Sequence, residues 1–354
     1  MLQQDRNSAI PVDLIRTIAI LGVLLLHSAN DLTTQTMSDL EIWRWITVDI
    51  YQSIGRMGVP LFVMLTGALL LTPSKINEDL ATFFKKRVTR IGLPFLFWAV
   101  AYFLWDIYVE NQQVSSGFVV QGILTGPYFQ FWYLYMLMGL YLLTPLLRLM
   151  VAQATEKLFR YFMVIWFVGV SIVPLITTFT SFEVNPNLFA IPGYVGYFVL
   201  GAYLVNVRVR RRYLVALLTL GIALTAMGTY QISSTVGGGT SFYFQEYLSP
   251  TMILSSISFF MLLNTFSAPP ELTFGKVSWR KRLIAAISAS TLGIYLFHMM
   301  IIYTLQNGLL GITLNGDTVN SIIGVPLMAA VALIVSLAVL VPLKKVPIIK
   351  RLIG

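Results

Sequence analysis

Polar residues in this sequence separate long apolar runs instead of alternating with apolar ones. A membrane helix needs roughly 20 consecutive, mostly apolar residues. Such runs fall near 12–30, 51–71, 91–109, 129–149, 159–179, 190–206, 213–231, 250–267, 284–305 and 322–342. The pattern predicts an all-α, polytopic membrane bundle of about ten transmembrane helices, with Pro174, Pro186 and Pro192 interrupting the fifth and sixth. The connecting segments are short and no internal repeat of convincing period is present. A single integral-membrane domain over 1–354 is therefore expected. Arg6 ahead of an apolar stretch ending in Ser28-Ala29-Asn30 has the outline of a signal peptide. Asp13 and Arg16 break that stretch, and no soluble domain follows for it to export.

Charge sorts the loops into two sets. One set holds Lys75, Lys85, Lys86, Arg87 and Arg90; Arg148, Lys157 and Arg160; Arg208, Arg210, Arg211 and Arg212; and Lys276, Arg280, Lys281 and Arg282, followed by Lys344, Lys345, Lys350 and Arg351 at the C-terminal end. The intervening loops carry Asp31, Asp39, Glu41, Asp49, Asp106, Glu110, Glu183, Glu246 and Asp317, with Arg44 almost their only base. Basic loops stay cytoplasmic, so both termini are expected inside, with an even number of spans. Gly237-Gly-Gly239 reads as a flexible turn.

Composition agrees with this pattern. Hydrophobic residues make up 57% of the chain and charged residues 11%, with a mean hydropathy of +0.77; soluble domains carry about a quarter charged residues. The net charge of +9 follows from the loop asymmetry and calls for no nucleic-acid partner. Cysteine is absent, which excludes disulfides, iron–sulfur clusters and a thiol nucleophile. Two histidines, His27 and His298, are too few for a multi-histidine metal site, and no metal is expected.

Ionisable groups within spans are costly, at about 2.5–3.5 kcal/mol each near a helix centre, and so mark function. The first span holds Asp13, Arg16 and His27. Eleven residues separate Arg16 from His27, or about 1100° of helical turn and about 16 Å of rise. Both side chains therefore share one helix face, Arg16 near the cytoplasmic surface and His27 towards the outer leaflet. Asp13, one turn below Arg16, is placed to pair with it. Other polar groups fall into the same two tiers: Arg56, Gln130, Trp132, Tyr295 and His298 on the outer side, Arg87 and Arg90 with Arg16 on the inner side. The inner tier suits phosphates; the outer tier offers a base and hydrogen-bonding groups. Plainer readings exist for most of them. Arg16 would snorkel to headgroups, Arg87 and Arg90 would set topology, Arg56 would pair with Asp49, and His298 would pack against a backbone carbonyl. Trp132, Tyr133 and Tyr135 would form an interfacial belt.

Several of these residues lie in motifs. Asp13-Leu-Ile-Arg16, ten residues and His27 resemble the Arg-x10-His first helix of the integral-membrane acyltransferase 3 family. Arg56-Met-Gly-Val-Pro60-Leu-Phe-Val-Met-Leu-Thr66-Gly67 is similar to that family's VPLFF…SG helix, with Thr66 in place of Ser. Arg87-Val-Thr-Arg90-Ile-Gly-Leu-Pro94 resembles its Arg-x-x-Arg junction. Phe131-Trp132-Tyr133-Leu134 through Tyr141-Leu-Leu-Thr-Pro145, Tyr197-Phe-Val-Leu-Gly201 and Gly293-Ile-Tyr295-Leu-Phe-His298 complete the set. The subgroup most resembled is the enterobacterial common antigen O-acetyltransferase type. Gln130 departs from the pattern, standing where relatives often have histidine, which suits hydrogen bonding better than proton transfer.

The resemblance implies a cell-membrane O-acyltransferase that moves an acyl group, usually acetyl, from cytoplasmic acyl-CoA to a hydroxyl of a surface glycan or lipid-linked sugar. On that reading His27 is the general base or, less favoured, a transient acyl carrier. Arg16, Arg87 and Arg90 hold the phosphates of acetyl-CoA, Asp13 orients Arg16, and Arg56, Gln130, Trp132, Tyr295 and His298 face the substrates. The rival readings are a transporter or flippase of a lipid-linked sugar or acyl compound, and a sensor that binds acyl-CoA without turnover. Acyl group, acceptor and oligomeric state are open at this level.

Overall fold

The computed structural model describes residues 10–29, 41–113, 115–185, 192–235, 242–266, 278–314 and 319–354. Arg6, Asn30, Asp31, Asp39, Pro186, the Gly237–Gly239 turn, Lys276 and Asp317 lie outside them. Every regular element among the described residues is helical. In chain order these are α1 (Val12–Ser28), α2 (Ile42–Leu70), α3 (Leu80–Tyr108), α4 (Ser116–Thr125), α5 (Phe129–Gln153), α6 (Glu156–Phe179), α7 (Gly193–Leu204), α8 (Arg211–Thr235), α9 (Tyr243–Asn264), α10 (Trp279–Ala289), α11 (Thr291–Gln306), α12 (Ser321–Leu343) and α13 (Pro347–Ile353).

Seven helices (α2, α3, α5, α6, α8, α9 and α12) are long and apolar enough to cross a membrane, and α10 with α11 makes an eighth if that pair, bent by 77°, is one span. Nine of the ten apolar runs fall on one helix each and the ninth, 284–305, falls on the α10–α11 pair, but α1 has 17 residues and α7 only 12. Outward-facing Leu142, Met227 and Ile334 are 64–68% exposed. Such an apolar exterior is stable only against lipid or a partner.

Helix boundaries differ from expectation at basic positions. Lys85, Lys86, Arg87 and Arg90 are helical and not in a loop, because α3 starts at Leu80. The Asp79 carboxylate caps its first turn, accepting from Thr82 N at 2.8 Å. Two of the long helices contain a π-turn, Val88–Gly92 in α3 and Val168–Ile172 in α6. Each is followed two residues later by proline, Pro94 or Pro174. Proline has no N–H and displaces the carbonyl four residues back; a wider turn absorbs both effects without ending the helix. In α2 the same residue type, Pro60, produces a short break at Arg56-Met57.

The core is built around α1, α2 and α7. Gly67 on α2 and Gly201 on α7 bring two backbones together. A Cβ at Gly67 would lie 1.8 Å from Phe198 O, and one at Gly201 would lie 1.8 Å from Met64 O. Both glycines belong to motifs singled out above, and the fold makes them face each other. The basic segments also meet at one end of the bundle. Arg148 reaches the loop after α2, Arg211 Nη2 donates to Thr265 O at 2.9 Å, and Lys344 Nζ donates to Ala289 O at 2.6 Å.

Candidate functional site

At the basic end a cavity of about 470 Å³ opens between α1, α2, α3, α5 and α10–α11. Arg16, Lys75, Arg87 and Arg90 line it, and among the described residues no aspartate or glutamate does. Thr66, Tyr133, Tyr141, Ser288, Thr291 and Tyr295 also line it. Three arginines that sequence spacing placed in one tier are thus brought into one cavity from two helices. The α3 π-turn carries Arg90, and Arg87 precedes it by one residue, its guanidinium 4.7 Å from the Phe83 ring centroid and 5.7 Å from that of Tyr141.

Asp13 behaves differently from expectation. Its carboxylate is exposed and accepts from Ser288 Oγ at 2.6 Å, and no Asp13–Arg16 ion pair is made. Ser288, delivered by α10 just before the bend, satisfies the carboxylate and leaves Arg16 turned to the cavity.

Two cations were not foreseen. Arg148 is only 3% exposed. Its Nε donates to Leu70 O at 2.7 Å, Nη1 to Lys75 O at 3.1 Å and Nη2 to Glu78 Oε2 at 2.9 Å. Lys75 Nζ donates to Leu69 O at 2.5 Å. Together they tie the α2–α3 loop beneath the cavity. Burial beside Arg148 holds the Lys75 ammonium below its ordinary pKa. Hydrogen bonds from Lys86 and Arg148 hold the Glu78 carboxyl below its own. Arg148 lies inside an apolar run, so the cost of a charge there was the available signal. Lys75 gave none beyond its loop position.

Tyr133 and Tyr295 form the deep wall, ring centroids 5.2 Å apart. Tyr133 is 7% exposed, so it belongs to the core and not to an interfacial belt. The Tyr295 hydroxyl donates to Gln130 O at 2.6 Å. Beyond Tyr295 stand the two histidines. His298 is 5.9 Å from Tyr295 and His27 is 5.1 Å from His298, centroid to centroid. His298 is fully buried, and its Nδ1 lies 3.2 Å from Ile294 O. A carbonyl only accepts, so Nδ1 carries a proton; in the neutral ring Nε2 then holds the lone pair, and among the described residues it has no partner. The packed-histidine reading of His298 thus accounts for Nδ1 and leaves Nε2 free. His27, in the last turn of α1, is partly exposed, and Phe129 packs edge-on at 5.2 Å.

The remaining outer-tier residues surround this pair. Arg56 does not pair with Asp49, because Gln245 Nε2 donates to Asp49 Oδ1 at 2.5 Å. The Arg56 guanidinium instead lies 5.7 Å from the Tyr247 ring centroid and 6.0 Å from that of Phe242. Trp132 packs on Tyr194 and Tyr247 at 5.7 and 5.5 Å, inside an aromatic cluster rather than a lipid-facing belt. Gln130 is fully buried, and among the described residues neither side-chain atom has a hydrogen-bond partner.

A sequence model described as an acyltransferase domain matches residues 11–341 of this chain. The succinoglycan biosynthesis protein ExoH of Rhizobium meliloti (strain 1021) is 24% identical over 124 residues, which is 35% of this chain and 34% of that protein. The match thus spans about a third of that relative's length. No solved structure matches the chain.

Proposed function

Because this chain belongs to the acyltransferase domain family, we propose that it transfers an acyl group, acetyl foremost, from acyl-CoA to a hydroxyl of a surface glycan or lipid-linked sugar at the cell membrane. One observation carries the reading. The cavity lined by Arg16, Lys75, Arg87 and Arg90, with no aspartate or glutamate side chain among its described lining residues, ends at Tyr295, and the only two histidines of the chain follow directly behind that residue. The family relationship supports acyl transfer, and the partial likeness to a succinoglycan biosynthesis protein supports a glycan acceptor. We take the basic end as cytoplasmic, by the excess of Lys and Arg there, with α1 and α7 crossing the membrane as well.

The donor's phosphates would sit on the cations, and its pantetheine arm would run past Tyr133 and Tyr295. His27 would take the proton of the acceptor hydroxyl as its oxygen attacks the thioester carbonyl. The carbonyl carbon then becomes tetrahedral and its oxygen negative. Arg56, whose guanidinium lies 5.7 Å from the Tyr247 ring centroid, would stabilise that oxyanion. The carbon–sulfur bond breaks, and the CoA thiolate recovers a proton from the imidazolium. The ester leaves on the acceptor.

The test is free-thiol release from acetyl-CoA by the purified protein with glycan or glycolipid present. Wild-type protein is expected to release thiol in an acceptor-dependent way, and His27→Ala to lose at least about 100-fold. Full activity in a folded His27→Ala protein would remove the base. No release by wild-type protein from acetyl-CoA or longer acyl-CoAs would favour transport or sensing instead.

A further inference from the structure

A second concavity adjoins the first. It is a groove of about 890 Å³ between α3 and α13, and Lys85, Lys86, Arg90, Lys350 and Arg351 line it with no carboxylate side chain among the lining residues. Arg90 and Gly354 line both concavities, so the groove directly adjoins the 470 Å³ cavity.

The groove's far wall is anchored. Ile353, at the end of α13, is 1% exposed, and its carbonyl accepts from Trp98 Nε1 at 3.5 Å. Lys350 and Arg351, one turn earlier, are exposed on the groove side. Lys86 is paired with Glu78 at 2.9 Å. Among the described residues, Lys85, Arg90, Lys350 and Arg351 have no carboxylate within ion-pair distance. Cations that gather on two elements in excess of the nearby carboxylates repel one another, and an anion between them relieves that repulsion.

The inner cavity already supplies cations for a pyrophosphate. A second basic patch just outside it fits a second, separate phosphate on the same ligand. We propose that the groove is the subsite for the 3′-phosphoadenosine end of coenzyme A, with Lys350 and Arg351 holding the 3′-phosphate. The proposal rests on the acyl-CoA reading above and adds a function for α13. Arg90, at the junction, lies between the two phosphate positions. The same chemistry, a phosphate on a basic surface, is also offered by an anionic lipid headgroup, and the experiment separates the two.

Binding of adenosine 3′,5′-bisphosphate and of adenosine 5′-phosphate is measured on full-length protein in neutral-lipid nanodiscs. In wild-type protein the bisphosphate binds at least about tenfold more tightly, as expected for added charge-assisted hydrogen bonds. Lys350→Ala with Arg351→Ala loses that preference and leaves 5′-phosphate binding unchanged. The exchange Lys350→Arg with Arg351→Lys, which keeps both charges, retains most of the preference. In turnover, the alanine pair raises KM for acetyl-CoA but not for acetyl-3′-dephospho-CoA. Equal loss for both nucleotides, or no preference in wild-type protein, overturns the assignment. So does a groove whose mutation weakens only binding to vesicles containing phosphatidylglycerol. Bisphosphate preference without thiol release would keep the subsite and reject acyl transfer, whereas turnover without the preference would do the reverse.

Discussion

Replacing Arg148 with methionine isolates what the buried guanidinium does, because methionine keeps an apolar stem against Phe83, which Arg148 overlies at 4.8 Å. Three hydrogen bonds are lost, two to the carbonyls of Leu70 and Lys75 and one to Glu78. Bonds from a charged donor contribute about 1.5–3 kcal/mol each, so at the lower limit the two carbonyl bonds give roughly 3 kcal/mol. Glu78 is 16% exposed, and a partly solvated pair adds no more than about 1 kcal/mol. The sum, roughly 3–4 kcal/mol, corresponds to an increase of about 100- to 1000-fold in local opening. Hydrogen exchange of the 71–79 segment reads that opening directly. The segment is expected to exchange faster by about that factor in Arg148→Met, while α8 and α9, which do not touch Arg148, stay unchanged. KM for acyl-CoA should rise as Lys75 loses its place in the cavity. Exchange within about threefold of wild type would show that the loop is held by other contacts, and the argument from Arg148 would be wrong.

Two further outcomes follow from packing and from pH. Gly67→Ala places a methyl group where Phe198 O lies 1.8 Å away, so α2 and α7 must separate at a cost of about 1–3 kcal/mol or more; a lower melting temperature in detergent is expected, and an unchanged one would mean the two backbones are not in contact. Burial and the nearby Lys350 bring the Lys344 ammonium down to about 8 from its ordinary 10.5. Between those values the unfolded chain binds more protons than the folded one, so this group raises stability as pH rises through the window. Lys344→Met should therefore raise the melting temperature at pH 7 and flatten its increase between about pH 8 and 10; a parallel pH dependence in both proteins would contradict the shift.

Much of the helical framework was readable from apolar run length alone, and so was the alignment of Arg16 with His27 on α1. Local spacing also carried the likeness of Arg87 and Arg90. Their convergence with Arg16 depends on how α3 packs, which no spacing rule specifies. The errors share a cause. Spacing pairs Asp13 with Arg16, three residues away, and the plainer reading of Arg56 pairs it with Asp49, seven residues away. In the fold the two carboxylates pair with Ser288 and Gln245, each about 200 residues or more distant in sequence. Sequence-local reasoning offers the nearest opposite charge, whereas burial selects whichever hydrogen-bonding group the tertiary structure delivers. Arg148 was counted with the loop charges because its carbonyl partners lie over 70 residues away. Pro174 reads as an interruption in the sequence because hydropathy does not register how a helix absorbs a missing donor.

The facing glycines of α2 and α7 also bear on how the molecule deforms. Where backbone meets backbone there are no side chains to change rotamer, so neither helix slides past the other without losing the contact along its length. These two helices therefore behave as one mechanical strut. Another wall of the cavity, made by α3 and α11 with Gly354, is joined through side chains, including Trp98 on Ile353 and Tyr102 on Leu296. Side-chain contacts of that kind tolerate small relative shifts. Breathing motions that admit a bulky ligand into the basic cavity consequently fall to that wall, with the strut as the fixed frame against which it moves.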